Sequence, residues 1–328
     1  MKIARINRIA LLALMLASTA AFARVNGSFS RTLKVSGPVD LTVQTGSGDI
    51  VVRSGEVSDV QVNAKIRAGE GGWFDSSGGT SAEEKVRRIE QNPPIQQNGN
   101  TIVIGRIEDR ELQRNVSISY EITVPAETTL HAKTGSGDQT ISGISGPVEI
   151  QTGSGNIKAT RIGGDAKMNT GSGDIVIDGI KGVVSARTGS GNVTANGASG
   201  NLNAETGSGD VRGEGQFTGY VVARTGSGNV HLDKVIGILD AHTGSGDIVV
   251  RGEAKGNWTA HSGSGNIELH LPAQAAFEVD AHSSSGGVTV NHPITVQGQV
   301  KPNRVQGKVN GGGALLSLQS GSGDIRID

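Results

Sequence analysis

The sequence predicts an all-β chain. The expected architecture is a single-chain parallel β-solenoid, or β-helix, with coils of about 18 residues, each made of two short strands. A helix-containing capping segment is inserted near its start. Three observations lead there. The phrase T-G-S-G-[D/N] starts at Thr134 and recurs at Thr152, Thr170, Thr188, Thr206, Thr225 and Thr243, closing as S-G-S-G-N-I at Ser262. The steps are 18 residues up to Thr206, then 19, 18 and 19, and a fixed period of this size marks units that contact only their neighbours. Between the phrases, apolar and polar residues alternate with period two, as in Ile175, Val176, Ile177, Asp178 and Val184, Ser185, Ala186, Arg187. Finally, 51 glycines and only 3% aromatics leave no material for a large globular core but suit a thin core of Ile, Val and Ala layered coil on coil.

Taken in order, residues 1–23 read as an export signal. Lys2, Arg5 and Arg8 give a positive start, Ile9 to Ala20 is apolar, and Ala21-Phe22-Ala23 is a small-x-small cleavage site. Cleavage is expected after Ala23, with the mature chain periplasmic or at the cell surface. No later stretch is long and apolar enough to span a bilayer, and no series of strands toward Asp328 looks able to form an outer-membrane barrel.

Residues 24–57 hold N-terminal strands and a first copy of the motif at Thr45–Asp49. Residues 58–129 interrupt the pattern. They include a strand near Val60–Ile66, a Gly/Ser-rich loop with Trp73 and Phe74, and a helix opened by Ser81 as cap with Glu84 three residues on. Further strands follow at Ile102–Ile104 and Val116–Val124. A stacked array needs its end covered, so this insertion is expected to be a cap. Residues 130–285 are the regular array, and 286–328 are degenerate coils in which the motif returns once, at Ser320–Asp324. Each unit is expected to turn at two glycine corners, where glycine accepts positive φ.

The iterated T-G-S-G-[D/N]-[I/V] units, with the strand ending Tyr120–Pro125 and then Thr129-Leu130 before the first T-G-S-G-D, resemble the putative-adhesin family of bacterial β-strand-repeat proteins, a domain of unknown function. The resemblance covers about Val35 to Asp328. It implies an exported β-solenoid with adhesion or surface binding as its role, and brings no catalytic residues.

The residue after each G-S-G alternates strictly: Asp138, Asn156, Asp174, Asn192, Asp210, Asn229, Asp247, Asn266. Stacked at about 4.8 Å, an unbroken row of carboxylates would repel. Alternation separates the charges and supplies amide donors, so a self-satisfied structural ladder is expected rather than a calcium site, whose nine-residue repeat places its acid differently. The residue before each motif threonine runs Gln151, Asn169, Arg187, Glu205, Arg224, His242, His261, with His282 continuing the row. Imidazoles on successive coils make His242, His261 and His282 weak zinc or nickel candidates, but one flat row seldom closes a tetrahedral site, so no metal and no cofactor are expected. The regular hydroxyls beside each corner glycine echo ice-binding rows, yet flanking glycines favour a turn in which they bond backbone.

A formal charge of −1, from 30 basic and 31 acidic residues, argues against nucleic acid as a partner, and the absence of Cys removes disulfides and thiolate metal sites. A second outward row, Lys158, Val176, Thr194, Arg212, His231, Val249, Glu268, is mixed and holds no convergent acid–base set. The sequence therefore points to a non-enzymatic binding or structural protein of the cell envelope, with an envelope or host-surface glycan or protein as partner. The alternatives are a polysaccharide-acting enzyme on the same scaffold and an envelope-stress or signalling partner.

Overall fold

The computed structural model describes residues 24–69, 80–296 and 301–328. The export signal expected over 1–23 and the loop carrying Trp73 and Phe74 lie outside the described residues. Two long sheets face each other across a narrow core, one of 14 strands and one of 15. In the array each coil gives one strand to each sheet, and neighbouring strands pair in parallel and in register. Ile157, Ala159 and Ile162 lie beside Ile175, Ile177 and Ile180 in the first sheet, and Val148, Ile150 and Thr152 beside Ala166, Met168 and Thr170 in the second.

The period-two pattern does what it promises. Inward positions are buried and outward ones are not, as in the buried–intermediate–buried run of Val184, Ser185 and Ala186. The core stays filled because neighbours compensate. Gly213 leaves a gap in the first sheet, and Phe217, fully buried, occupies it: a β-carbon on Gly213 would come within 3.0 Å of the Phe217 ring. Trp258 stacks where other coils carry Val, Leu or Ala. It is fully buried, and its Nε1 donates to the Gly237 carbonyl at 3.0 Å.

The corner glycines serve a purpose different from the expected one. In the T-G-S-G corners they do not adopt positive φ beyond the first coil, where Gly48 has φ 134°. They are needed because the coils touch there: a β-carbon on Gly191 would lie 2.0 Å from the Gly173 carbonyl oxygen, and one on Gly155 would lie 1.9 Å from that of Gly137. Positive φ is concentrated at another corner, in Gly143, Gly179 and Gly197 and also in Arg161 and Lys234, so two coils hold a side-chain-bearing residue in the left-handed region.

Both ends are closed, by different means. At the N-terminal end the strand Thr128–Ser136 pairs directly with Val39–Ser47, so residues between them are pushed outward. Val116–Val124 pairs with Ile50–Ser54, Asp59–Gly69 folds back antiparallel on it, and Arg24–Lys34 forms the outer edge. The helix Ala82–Gln91 buries Ala82, Lys85, Val86 and Ile89 against this extension. Ser81 caps it, accepting from the Glu84 amide at 3.2 Å, while the Glu84 carboxylate turns to Arg87 and Arg88. A second, four-residue helix spans Arg110–Gln113 and was not foreseen.

At the other end the chain order and the spatial order part. The strand Ala314–Ser320 lies between Trp258–Ser262 and Phe277–Ser283, and Ile325–Ile327 lies between Ile267–His270 and Val288–Val290. The returning motif at Ser320–Asp324 is therefore not an outermost remnant. It is an inner coil, covered by residues that precede it in sequence. Arg304–Val309 then closes the second sheet by pairing antiparallel with both Phe277–Ser283 and Ile294–Val296. Three of the four sheet edges are only three or four residues long, which leaves little template for another strand.

Candidate binding surface

The Asp/Asn ladder is continuous. Each side-chain Oδ1 accepts the backbone N–H of its counterpart one coil on, from Asp49 through Asp138, Asn156, Asp174, Asn192, Asp210, Asn229, Asp247 and Asn266, at 2.7–3.0 Å. Asp324 takes the next place after Asn266 and accepts the Gly287 amide at 2.8 Å. The amide-to-carboxylate bonds expected between neighbours appear at two steps among the described residues, Asn192 to Asp174 at 3.3 Å and Asn229 to Asp210 at 3.4 Å. The stronger tie is thus side chain to backbone, which either Asp or Asn can accept.

Beside the ladder, the hydroxyl at the first position of each motif is used internally, while motif serines such as Ser154, Ser172 and Ser190 are exposed. Thr152, Thr170, Thr188, Thr206, Thr225, Thr243 and Ser262 donate to the glycine carbonyl of the coil before, at 2.7–3.1 Å, and are buried. This row cannot present hydroxyls to a flat ligand.

The histidine row requires a correction. His242 and His261 are on neighbouring coils with ring centroids 5.8 Å apart. His282 is not next in line: Gln319 pairs with His261 and also with His282, because the strand carrying Gln319 is inserted between them. The three imidazoles are thus not on successive coils. His242 Nε2 lies 2.6 Å from Asp240 Oδ1, and the other oxygen of Asp240 accepts from Arg224 at 2.6 Å. Among the described residues no group of three or more His, Asp or Glu could hold a metal ion.

Other outward positions on the second sheet form cross-coil ion pairs. The Arg187 guanidinium, 2.9 Å from Glu205, holds that carboxyl below its ordinary range, and Lys167, 2.9 Å from Glu149, does the same there. The mixed row on the first sheet, Lys158 to Glu268, aligns in one column and ends beside Arg326.

One column stands apart, and it was missed in reading the sequence. Immediately before an inward residue on eight adjacent second-sheet strands come Pro147, Asp165, Val183, Asn201, Tyr220, Ile238, Asn257 and Leu315, all exposed. The four large apolar side chains that are most exposed among the described residues, Val183, Tyr220, Ile238 and Leu315, all belong to it, at 40–49% exposure. The intervening polar residues brace the column. Asp165 Oδ1 accepts the Val183 amide at 2.8 Å, Asn201 that of Tyr220 at 2.9 Å, and Asn257 that of Leu315 at 3.0 Å. Pro147, Val183 and Tyr220 recur on every second coil, about 9.6 Å apart, and the column is about 34 Å long. A groove of about 310 Å³ runs beside its first part, between Pro147 and Val183 on one side and His131, Glu149 and Lys167 on the other. The signal was available in the sequence: G-V-V-S-A, G-Y-V-V-A and G-I-L-D-A carry one more apolar residue than an alternating strand needs.

A cavity of about 440 Å³ lies where the N-terminal cap meets the first coils, lined by Gln44, Arg106, Gln113, Tyr120 and Lys133 among others. Burial raises the Tyr120 phenol well above its ordinary value, so it stays protonated. No helix among the described residues is long and apolar enough to cross a membrane.

Among curated proteins, none matches this chain. Of solved structures, a putative cell adhesion protein from Clostridium sporogenes ATCC 15579 is 13% identical over 92% of this chain and 99% of that one, with a TM-score of 0.25. A putative adhesin from Bacteroides fragilis NCTC 9343 is 15% identical over 92% of this chain and 97% of that one, with a TM-score of 0.34. The Toastrack DUF4097 family model matches residues 30–212 and, again, 182–328. Between them these two matches take in both capped ends and the whole array, and the chain belongs to the Toastrack DUF4097 family.

Proposed function

We propose that the chain is an exported, non-catalytic, adhesin-like binding protein of the cell envelope, released by cleavage after Ala23, and that it holds an extended glycan along the Pro147–Leu315 column. The observation that carries this reading is the gathering of the most exposed apolar side chains into one line on a rigid sheet. Exposed apolar groups scattered singly need no explanation, but a set confined to one column does. The two-coil recurrence of Pro147, Val183 and Tyr220 matches a ligand that itself repeats along its length. The aromatic face of Tyr220 suits the apolar face of a sugar ring, and the amides of Asn201 and Asn257 suit its hydroxyls. Each contact is weak, and affinity comes from several made at once by one rigid ligand-binding edge.

The test is a binding screen of the purified protein against envelope and host-surface polysaccharides, repeated with the double variant Tyr220→Ser, Ile238→Ser. Saturable binding that grows with chain length and drops at least tenfold in the variant supports the reading. Binding untouched by the variant, or capture of a protein with no polysaccharide bound, overturns it.

A further inference from the structure

We infer that the cavity beneath the N-terminal cap is a separate binding site for a carboxylate-bearing sugar unit, such as a uronic acid. The cavity lies between the strand ends at Gln44–Gly46 and Lys133–Gly135 on one side and the cap residues Gly105–Ile107, Gln113 and Val116–Tyr120 on the other. Its volume, about 440 Å³, falls in the range of small-ligand sites.

The Tyr120 side chain carries the inference. The residue is 1% exposed, and its hydroxyl is buried without a hydrogen-bond partner. An orphaned buried hydroxyl is costly, and a neutral phenol in that position is a donor waiting for an acceptor. Gly105, at φ 86°, lets the backbone close in beside it: a β-carbon there would stand 3.2 Å from the Tyr120 hydroxyl and 1.7 Å from the Gln44 carbonyl oxygen. Phe29 packs edge-on against the ring at 6.4 Å and fixes its place.

Charge selects the acceptor. The charged residues in the lining are Arg106 and Lys133, and no carboxylate is among them. Arg106 reaches a surface carboxylate, Glu108, only at 3.9 Å, and Lys133 has no ion-pair partner among the described residues. A carboxylate in the cavity would have both exposed cations within its lining, and charge-assisted bonds are the stronger kind. Gln44 and Gln113 offer amide groups for ring hydroxyls. The anion follows from the cavity alone. That it is borne on a sugar rests on the glycan-binding reading above.

The experiment is calorimetric titration and thermal unfolding of the purified protein with sodium glucuronate, with glucose, acetate and inorganic phosphate in parallel. Glucuronate is expected to bind saturably and raise the melting temperature, with acetate at least tenfold weaker and glucose without effect. Tyr120→Phe is expected to unfold no lower than the parent without ligand, since it removes an unpaired hydroxyl, yet to bind glucuronate roughly tenfold or more weakly. Lys133→Gln is expected to weaken binding and flatten its salt dependence. Absence of glucuronate binding, equal affinity in Tyr120→Phe, or acetate or phosphate binding as well as glucuronate would overturn the proposal. The Tyr220→Ser, Ile238→Ser variant should bind glucuronate normally. Glucuronate binding without any polysaccharide binding would leave this site standing and remove the column, and the reverse result would do the opposite.

Discussion

Replacing Gly191 by Ala tests whether the corner glycines act by close approach rather than by conformational freedom. Gly191 is not in the left-handed region, so Ala can adopt its backbone. The added β-carbon, however, would stand 2.0 Å from the Gly173 carbonyl oxygen, 1.4 Å short of the 3.4 Å where ordinary contact begins. Both contacting groups are tied down, so the coils must separate locally. An opening of that size breaks the bond from Thr188 Oγ1 to the Gly173 carbonyl, now 2.8 Å, and that from the Asn192 amide to Asp174, now 2.7 Å. It also strains the bond from the Gly191 amide to Thr188 Oγ1, at 3.1 Å. At about 1 kcal/mol for each such bond, the loss is about 3 kcal/mol. The stiffer unfolded chain returns about 0.4–1 kcal/mol. The net destabilisation is about 2–3 kcal/mol, or a fall of about 3–5 °C in melting temperature for a chain of this length. Gly46→Ala is the control, because a β-carbon there meets nothing within 4 Å and should leave stability unchanged or slightly raised. Urea unfolding followed by far-ultraviolet circular dichroism measures both. Equal midpoints for the two variants would refute the steric account.

Two further outcomes follow from the outer face. Asn192→Ala removes the acceptor of the Asp210 amide and should cost about 1 kcal/mol, with faster hydrogen exchange at that amide. Asn192→Asp keeps an acceptor but sets carboxylates on three neighbouring coils, so its urea midpoint should fall at neutral pH and recover with salt. Glu205 and Glu149 have folded-state pKa values lowered by Arg187 and Lys167, so their contribution is present above the unfolded glutamate value, near 4.3, and is lost as pH falls through the lower folded values. Stability should therefore decline on acidification below about pH 4.3, and the Glu205→Gln, Glu149→Gln double variant should show a shallower decline by titrated urea unfolding.

The strand pairing of the array was legible because its cause is periodic. Alternation sets which side chains enter the core, and a repeat of 18 or 19 residues sets the register. The Asp/Asn ladder was legible for the same reason. The role of the corner glycines was not, since a single coil gives no hint that its neighbour's carbonyl will lie within 2.0 Å of a missing β-carbon. The stacking order at the C-terminal end was not read from the sequence, although a clue was present. Asp324 continues the strict alternation after Asn266, whereas Ser283-Ser284-Ser285-Gly286 leads to Gly287, with no ladder side chain at all. The Tyr120 cavity depends on how residues distant in sequence meet at the cap, which no local pattern encodes.

The coil that includes Phe277–Ser283 and Val288–Val290 takes its partners from residues 314–327 on the side facing the array. That arrangement makes the timing of assembly matter. Until Ala314–Ile327 is available, the growing end of the stack offers Trp258–Ser262 as an open edge, and Phe277–Ser283 has the right length and alternation to dock there prematurely. Such a stack would be one coil short and would have to reopen to admit the later segment. Along the array each coil can be added to the one before it, but at the far end a later segment lies between two earlier ones, so that end can close only by insertion.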